Sequence, residues 1–348
     1  MVPEGIVVNE HAAGKRLILH IGGAKCGSSA IQNYLASNAK GLAAKGVLVP
    51  PNWLNASSTV TGEQVLFFED LLDHQKGQDY LSHCLSFVAE RMSSEGLTTA
   101  IISGENISLH PELAGMLKIA SGDFDVTVVL YVRRQDDFLI SAWQQWGLKT
   151  YASLEDYAAS GVDALLSWSK MLVPWEQNFG RENIIVRSFQ RDRLHKRDVV
   201  DDFLQATGIS SDGLKPLTEN INPSFDEHLG DLAFRIKDVF DGYHDNDLYY
   251  TFVKLIGKKI YKSKSSSHLM SLAQRLEFLA RYTVGNEEVK RKYFPDMGDD
   301  PLFDPPTTSN VELLSDVEKL QGENAVLMRA VFALTKKIEE IEARLNPG

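Results

Sequence analysis

Apolar positions fall into two kinds of pattern along this chain. Continuous apolar runs stand at 17–21 (LILHI), 99–103 (TAIIS), 126–132 (VTVVLYV) and 183–188 (NIIVRS). Each has the length of a strand and lacks polar alternation, as parallel strands buried on both faces do. A shorter run at 46–50 predicts one more strand. Between the runs, apolar residues recur at helical spacing. They do so over 28–42, where Ile31, Tyr34 and Leu35 share a face, over 62–95, 136–149 and 164–179, and onward from about residue 198. Strands alternating with helices predict an α/β domain with a central, mostly parallel sheet flanked by helices. The ligand crevice of such a sheet lies beyond the C-terminal ends of its strands.

The pattern changes after residue 295. The stretch 295–310 (PDMGDDPLFDPPTTSN) holds four prolines and four aspartates and reads as a linker. Beyond it Leu313, Leu320, Leu327, Leu334 and Ile341 recur every seven residues, and Val317, Asn324, Val331, Ile338 and Leu345 form a second series. Leucine at most d positions, mainly β-branched residues at a, and one asparagine among them favour a parallel two-stranded coiled coil. Asn324 would set register, and Lys337 at g reaches Glu342 at e of a partner. The expected partner is a second copy, making a homodimer; the alternative is an amphipathic helix packed on its own domain. The expected organisation is a loose tail over 1–15, one domain over 16–305, and a linker with a C-terminal coiled coil over 306–348.

Composition narrows the class. The chain has 348 residues and a net charge of −11, which argues against nucleic-acid binding. No apolar run is long enough to span a membrane, and the first 15 residues lack a signal-peptide pattern. Two cysteines, Cys26 and Cys84, make no disulfide framework, so a reducing cytoplasm is expected. The nine histidines lack metal-ligand spacing, and no metal site is expected. Between Lys254 and Lys292, ten Lys/Arg face three acids. That segment is either a solvated helical face or a surface for an anion, with Lys258, Lys259, Lys262 and Lys264 as candidates.

The chemistry concentrates at two strand ends. Residues 16–32 (RLILHIGGAKCGSSAIQ) run from an apolar strand through a glycine-rich turn into a helix. Such a junction aims backbone N–H groups and a helix dipole at one spot, which suits an anion. Lys25 precedes Gly27, and hydroxyls on Ser28 and Ser29 follow it; a Walker A loop places its lysine after the second glycine. The VTVVLYV strand runs into RRQDDFLISAWQQW, with Arg133 at the strand end and Ser141 eight residues on. Arginine offers a rigid donor fork that matches phosphate oxygens.

These two segments resemble the 5′-phosphosulfate loop and the 3′-phosphate motif of the sulfotransferases that use 3′-phosphoadenosine 5′-phosphosulfate (PAPS), most closely bacterial members. The resemblance spans about residues 16–305 and implies a single P-loop-like α/β domain with PAPS as cosubstrate and no metal. It implies that Lys25, Cys26, Gly27, Ser28 and Ser29 hold the 5′-phosphosulfate, and Arg133 and Ser141 the 3′-phosphate. Cys26 departs from the usual Thr or Ser, which removes a hydroxyl and predicts weaker donor binding. The implied acceptor is a hydroxyl, of a carbohydrate or glycolipid. Glu105, after the TAIIS strand, resembles the catalytic base of glycan sulfotransferases; His20 is the alternative base and His110 a more remote one. Arg187 reads either as a ligand contact or as a structural ion pair. Trp143, Trp146 and Tyr151 read as acceptor-groove or core aromatics. The competing readings are a dimeric scaffold that binds PAPS or its product PAP with impaired catalysis, and a Mg²⁺-dependent P-loop kinase or nucleotidase. The second lacks an aspartate at the end of VTVVLYV.

Overall fold

The computed structural model describes residues 14–73, 77–217, 227–242, 245–256, 269–307 and 314–345. Its contacts divide the chain into two compact units, 1–133 with 168–221, and 134–167 with 222–348. The expected domain over 16–305 contributes to both.

The first unit carries a five-stranded, wholly parallel sheet: β1 (Lys15–His20), β2 (Val47–Leu48), β3 (Thr99–Ser103), β4 (Phe124–Val132) and β5 (Ile184–Ser188), in the order β2-β3-β1-β4-β5. All five predicted strands are present. β1 is central: its His20 pairs with Ser103 of β3 on one side and Val129 of β4 on the other. From β1 the chain turns toward β2, and from β4 it turns the other way toward β5. The connections after β1 and β4 therefore run in opposite directions, the place where sheets of this kind take their ligands.

One sheet face is covered by α1 (Ser28–Ser37) and α10 (Val199–Thr207), which bring Ile31, Leu35, Phe203 and Leu204 onto Ile18, Ile101, Val129 and Tyr131. The predicted helix over 28–42 is two helices. Asn38 breaks it at φ −109°, and α2 (Ala39–Ala43) follows. The Asn38 side chain donates to the Lys215 carbonyl and accepts from the Lys215 N–H, a reason for asparagine where the helical pattern would run on. α4 (Gln78–Glu95) packs on β3, and α9 (Trp168–Phe179) packs on β4 and β5 as well as on α5 (Pro111–Leu117).

A polar network is sealed beneath the sheet's edge. Asp202 of α10, with no solvent exposure, accepts from Tyr131 Oη (2.7 Å), Arg187 Nε (2.9 Å), Arg187 Nη2 (2.6 Å) and the His195 N–H (2.9 Å). Burial alone would raise the Asp202 pKa; the Arg187 fork and the other donors hold it below the ordinary carboxylate value. Arg187 is thus a structural ion-pair partner, one of its two expected readings.

The second unit is helical. α6 (Gln135–Gln145) is joined to α13 (Leu272–Ala280) by a buried ion pair, Arg275 to Asp136 (2.8 Å), extended by Arg275 to Asp137 (3.0 Å) and Arg134 to Asp136 (2.6 Å). Gln135 exchanges amide hydrogen bonds with Asn286 of α14 (Thr283–Tyr293) at 2.7 and 3.1 Å. The long helix α15 (Asp316–Leu345) packs on α11 (Glu227–Arg235) and α12 (Asp247–Ile256). Leu313, counted in the heptads, lies outside the described residues, as do Lys258, Lys259, Lys262 and Lys264. Three cations of the basic segment face acids: Arg275 as above, Lys290 with Glu287 (2.9 Å) and Lys292 with Glu288 (3.1 Å).

Removing Asp202 would leave a half-buried guanidinium and a buried phenol without their shared acceptor. Asp202→Ala is expected to lower unfolding free energy by about 1–3 kcal/mol. Urea denaturation of wild type and variant measures this, and a loss under about 1 kcal/mol would mean that the network carries little of the stability.

Candidate functional site

The loop after β1 is a run of left-handed backbone. Gly22, Gly23 and Gly27 have φ of 90°, 95° and 86°, and Lys25, which is not a glycine, has φ 62°. Successive residues in such conformations curl the chain so that amide groups point inward, a cradle for an anion. Two of the glycines are required by close approach. A Cβ on Gly23 would lie 2.1 Å from the Tyr131 carbonyl oxygen, and one on Gly22 would lie 2.4 Å from the Glu105 Cα. The turn closes through Cys26 N–H to Gly23 O (3.1 Å). Gly27 then caps α1, and its carbonyl accepts from Ala30 (3.0 Å). The first N–H groups of α1, on Ser28 and Ser29, have no carbonyl ahead of them in the helix and face the cradle mouth.

Strand pairing carries two further loops to the same place. The Gly104 N–H donates to His20 O and the Ser108 N–H to Ile21 O, so the turn holding Glu105 stays laced to the end of β1. On the other side the Tyr131 N–H donates to Gly22 O. Arg133, just beyond β4, donates from Nη1 to the Lys25 carbonyl at 2.7 Å. Its guanidinium stands over the Phe189 ring, 5.6 Å from the centroid, and its own carbonyl is held by the Trp168 indole N–H at 2.9 Å. Lys25, Glu105 and Arg133, scattered over more than a hundred residues, therefore share one site in the first unit.

Their electrostatics are mutually set. Burial, reinforced by Arg133, lowers the Lys25 pKa to about 8 against the opposing pull of Glu105 and Cys26. Burial raises the Glu105 pKa, Lys25 pulls it down and Glu69 pushes it up, leaving it above the usual glutamate value. A carboxyl so placed accepts a proton more readily than a solvated one, which is what a general base requires.

The remaining candidates sort clearly. His20 lies at the end of β1 with no solvent exposure. Its Nδ1 is 2.7 Å from Ser103 Oγ, and its ring meets Tyr131 and Phe203 edge-on. Burial drives its pKa to about 4. Cys26 turns inward: it is 1% exposed, its thiol donates to the Ala24 carbonyl (3.4 Å), and it packs among Ile31 and Val199. Burial pushes that thiol up to about 12. Its amide donates to the Gly23 carbonyl. Ser28 is buried and Ser29 half-buried at the first turn of α1. Ser141 belongs to the second unit, half-buried in α6. His110 caps α5, 3.5 Å from Glu112. In the second unit Trp143 packs between Tyr157 and Phe234, beside a cavity of about 230 Å³ also lined by Leu148 and Asp231. The Tyr151 ring meets Tyr157 at a tilt, with centroids 5.2 Å apart.

Sequence reasoning missed Gly22 and Gly23 as necessities of the cradle, and Phe189 and Trp168 as the supports of Arg133. It also missed Glu63 and Glu69. The charge of Glu105, after burial, raises the Glu63 pKa, which puts a second carboxyl near the first. The pair of glycines before Lys25 was the one legible signal among these.

No protein-family model matches the chain. A relative from Archaeoglobus fulgidus, described as an uncharacterized protein, is 28% identical over 168 residues, or 48% of this chain and 45% of that protein. The match thus spans under half of the relative's length. Two solved structures are similar. One is a sulfotransferase from Alicyclobacillus acidocaldarius, at a TM-score of 0.40 and 18% identity, covering 64% of this chain and 93% of that one. The other is the sulfotransferase domain from the curacin biosynthetic pathway, at a TM-score of 0.35 and 12% identity, covering 77% and 98%.

The burial of His20 yields a pH-dependent stability. Its folded pKa of about 4 lies below the unfolded value near 6.5, so the unfolded chain binds the extra proton in that window. Stability from neutral His20 is full above pH ~6.5 and is lost as pH falls toward about 4, by roughly 3 kcal/mol at most. Denaturation between pH 7 and 4 should therefore show a steeper decline in wild type than in His20→Gln. Equal slopes would remove His20 from this role.

Proposed function

We propose that the protein is a sulfotransferase that moves a sulfuryl group from PAPS to a hydroxyl acceptor, with a carbohydrate or glycolipid as the acceptor class. The observation that supports the reading is the 2.7 Å bond from Arg133 to the Lys25 carbonyl, which joins the two segments that the sequence resemblance assigns to the donor's phosphates. PAPS supplies an activated sulfur–oxygen bond and a good leaving phosphate.

Each residue has a role in this reading. The Lys25 ammonium and the amides of 27–29 neutralise charge that grows on the leaving 5′-phosphate oxygen. Arg133 holds the 3′-phosphate, and its contact with the Lys25 carbonyl fixes the spacing of the two anion sites. Ser141 is assigned to the 3′-phosphate on its motif spacing alone. Glu105 takes the proton of the acceptor hydroxyl. The acceptor oxygen bonds to sulfur as the bond from sulfur to the 5′-phosphate breaks, and the proton passes to the Glu105 carboxylate. Glu105 is preferred over His20 as base because His20 is sealed under α10, whereas Glu105 stands beside Lys25 at the cradle. Cys26, in place of a hydroxyl residue, is expected to weaken donor binding; Cys26→Thr should then tighten PAP affinity.

Calorimetry with PAP, without magnesium, tests the donor site. PAP should bind at least tenfold more tightly than AMP or ADP, and Arg133→Ala should erase that preference, as loss of a charged hydrogen bond of about 1.5–3 kcal/mol implies. Equal affinity for the three nucleotides would refute the reading. Glu105→Gln should keep PAP affinity while lowering kcat about a hundredfold or more. PAP binding with no turnover on any hydroxyl acceptor would favour the scaffold reading instead.

The pH profile of kcat/KM is a separate check. It should rise as Glu105 ionises above the ordinary glutamate range and fall above pH about 8 as free-enzyme Lys25 loses its proton. In Lys25→Arg the alkaline fall should vanish; its persistence would place that ionisation elsewhere.

A further inference from the structure

The helix α15 has two working faces. One is docked inside the second unit: Glu323, Val326 and Ala330 are buried, and Arg235 of α11 bonds both carboxylate oxygens of Glu323 at 2.9 and 3.0 Å. Gly322 belongs to the same face, where a Cβ would fall 2.1 Å from the His228 ring. In the heptad these residues occupy f, g and c positions and none is at a or d. At 100° per residue the docked c/g face is centred roughly 110° from the a/d seam. The seam itself is uncovered. Every apolar a and d residue from Val317 to Leu345 is exposed, by 41% to 75%.

We propose that this exposed a/d stripe of α15 is the seam of a parallel two-stranded coiled coil with a second copy of this chain. Packing on the helix's own unit and pairing with a second copy, alternatives at the level of sequence, occupy different faces and are compatible. A continuous apolar stripe along a helix of about 45 Å is more than a soluble monomer ordinarily leaves uncovered. The occupant is a second copy because the stripe is complementary to itself. Lys337 at g meets Glu342 at e of the other copy, and Asn324 at a meets its own counterpart. An antiparallel pairing would set the Asn324 amide against an apolar d residue and leave it unsatisfied. The proposal is independent of the sulfotransferase reading.

Sedimentation equilibrium of the full chain across micromolar concentrations tests it. Wild type should run at twice the mass of the chain. Leu334→Asp with Ile338→Asp should halve that mass, leaving near-ultraviolet circular dichroism unchanged. Phe332→Ser, at the b position away from the seam, should remain a dimer. Leu334→Cys should cross-link efficiently on mild oxidation, because d residues of parallel strands face one another and the native Cys26 and Cys84 are buried. A monomeric wild type, a trimer or tetramer, or a dimer that survives the double aspartate variant would overturn the proposal. Persistent dimers without a Leu334→Cys cross-link would overturn the parallel arrangement. Association only with a different protein would assign the stripe to another partner.

Discussion

The hydrogen bond from Arg133 to the Lys25 carbonyl ties together two loops that the sheet topology sends in opposite directions. It forms because β1 and β4 are neighbours in register, so that their C-terminal ends emerge side by side. It holds because each partner is braced. Gly22 and Gly23 let the Glu105 turn and the Tyr131 carbonyl approach the loop backbone more closely than any side chain would permit. Phe189 and the Trp168 indole fix the arginine from its other side. Lys25 sits at positive φ, a conformation that costs a non-glycine residue about 1 kcal/mol or more and persists where surrounding contacts impose it.

Around that bond the ionisable groups are graded by burial. His20, fully enclosed, is kept neutral by desolvation. Lys25 and Glu105, partly enclosed and opposite in charge, are each shifted by burial and each pulled back by the other. Residues that look equally reactive on paper thus differ in surroundings: His20 has no solvent exposure and one ring nitrogen within hydrogen-bond distance of Ser103, whereas Lys25 and Glu105 keep partial exposure.

The segment after β4 divides its labour between the two units. Arg133 belongs to the first and faces the cradle; Arg134, Asp136 and Asp137 belong to the second and enter the ion network of Arg275. The charged run RRQDD thus combines an arginine bonded to the loop after β1 with a cluster that joins α6 to α13. Asp136, without solvent exposure, is satisfied by two guanidinium groups, as a buried charge must be.

Much of the architecture was legible in one dimension. The runs at 99–103 and 126–132 read as buried strands because both sheet faces are covered, so most positions are apolar, and the glycine–lysine–glycine–serine order marked a tight turn of left-handed backbone because backbone conformation at such a junction is a local property. The heptads of 314–345 were legible for the same reason, since helical periodicity is short-range. Only tertiary structure decided which way Cys26 faces, that Glu63 and Glu69 perturb Glu105, that Arg187 belongs to Asp202, that the chain divides into two units, and which face of α15 docks on its own unit. Each of these depends on residues far apart in the chain whose separation no local pattern encodes. Local sequence determines backbone geometry and the order of elements; burial, and with it charge state and chemical role, comes from what the fold packs alongside.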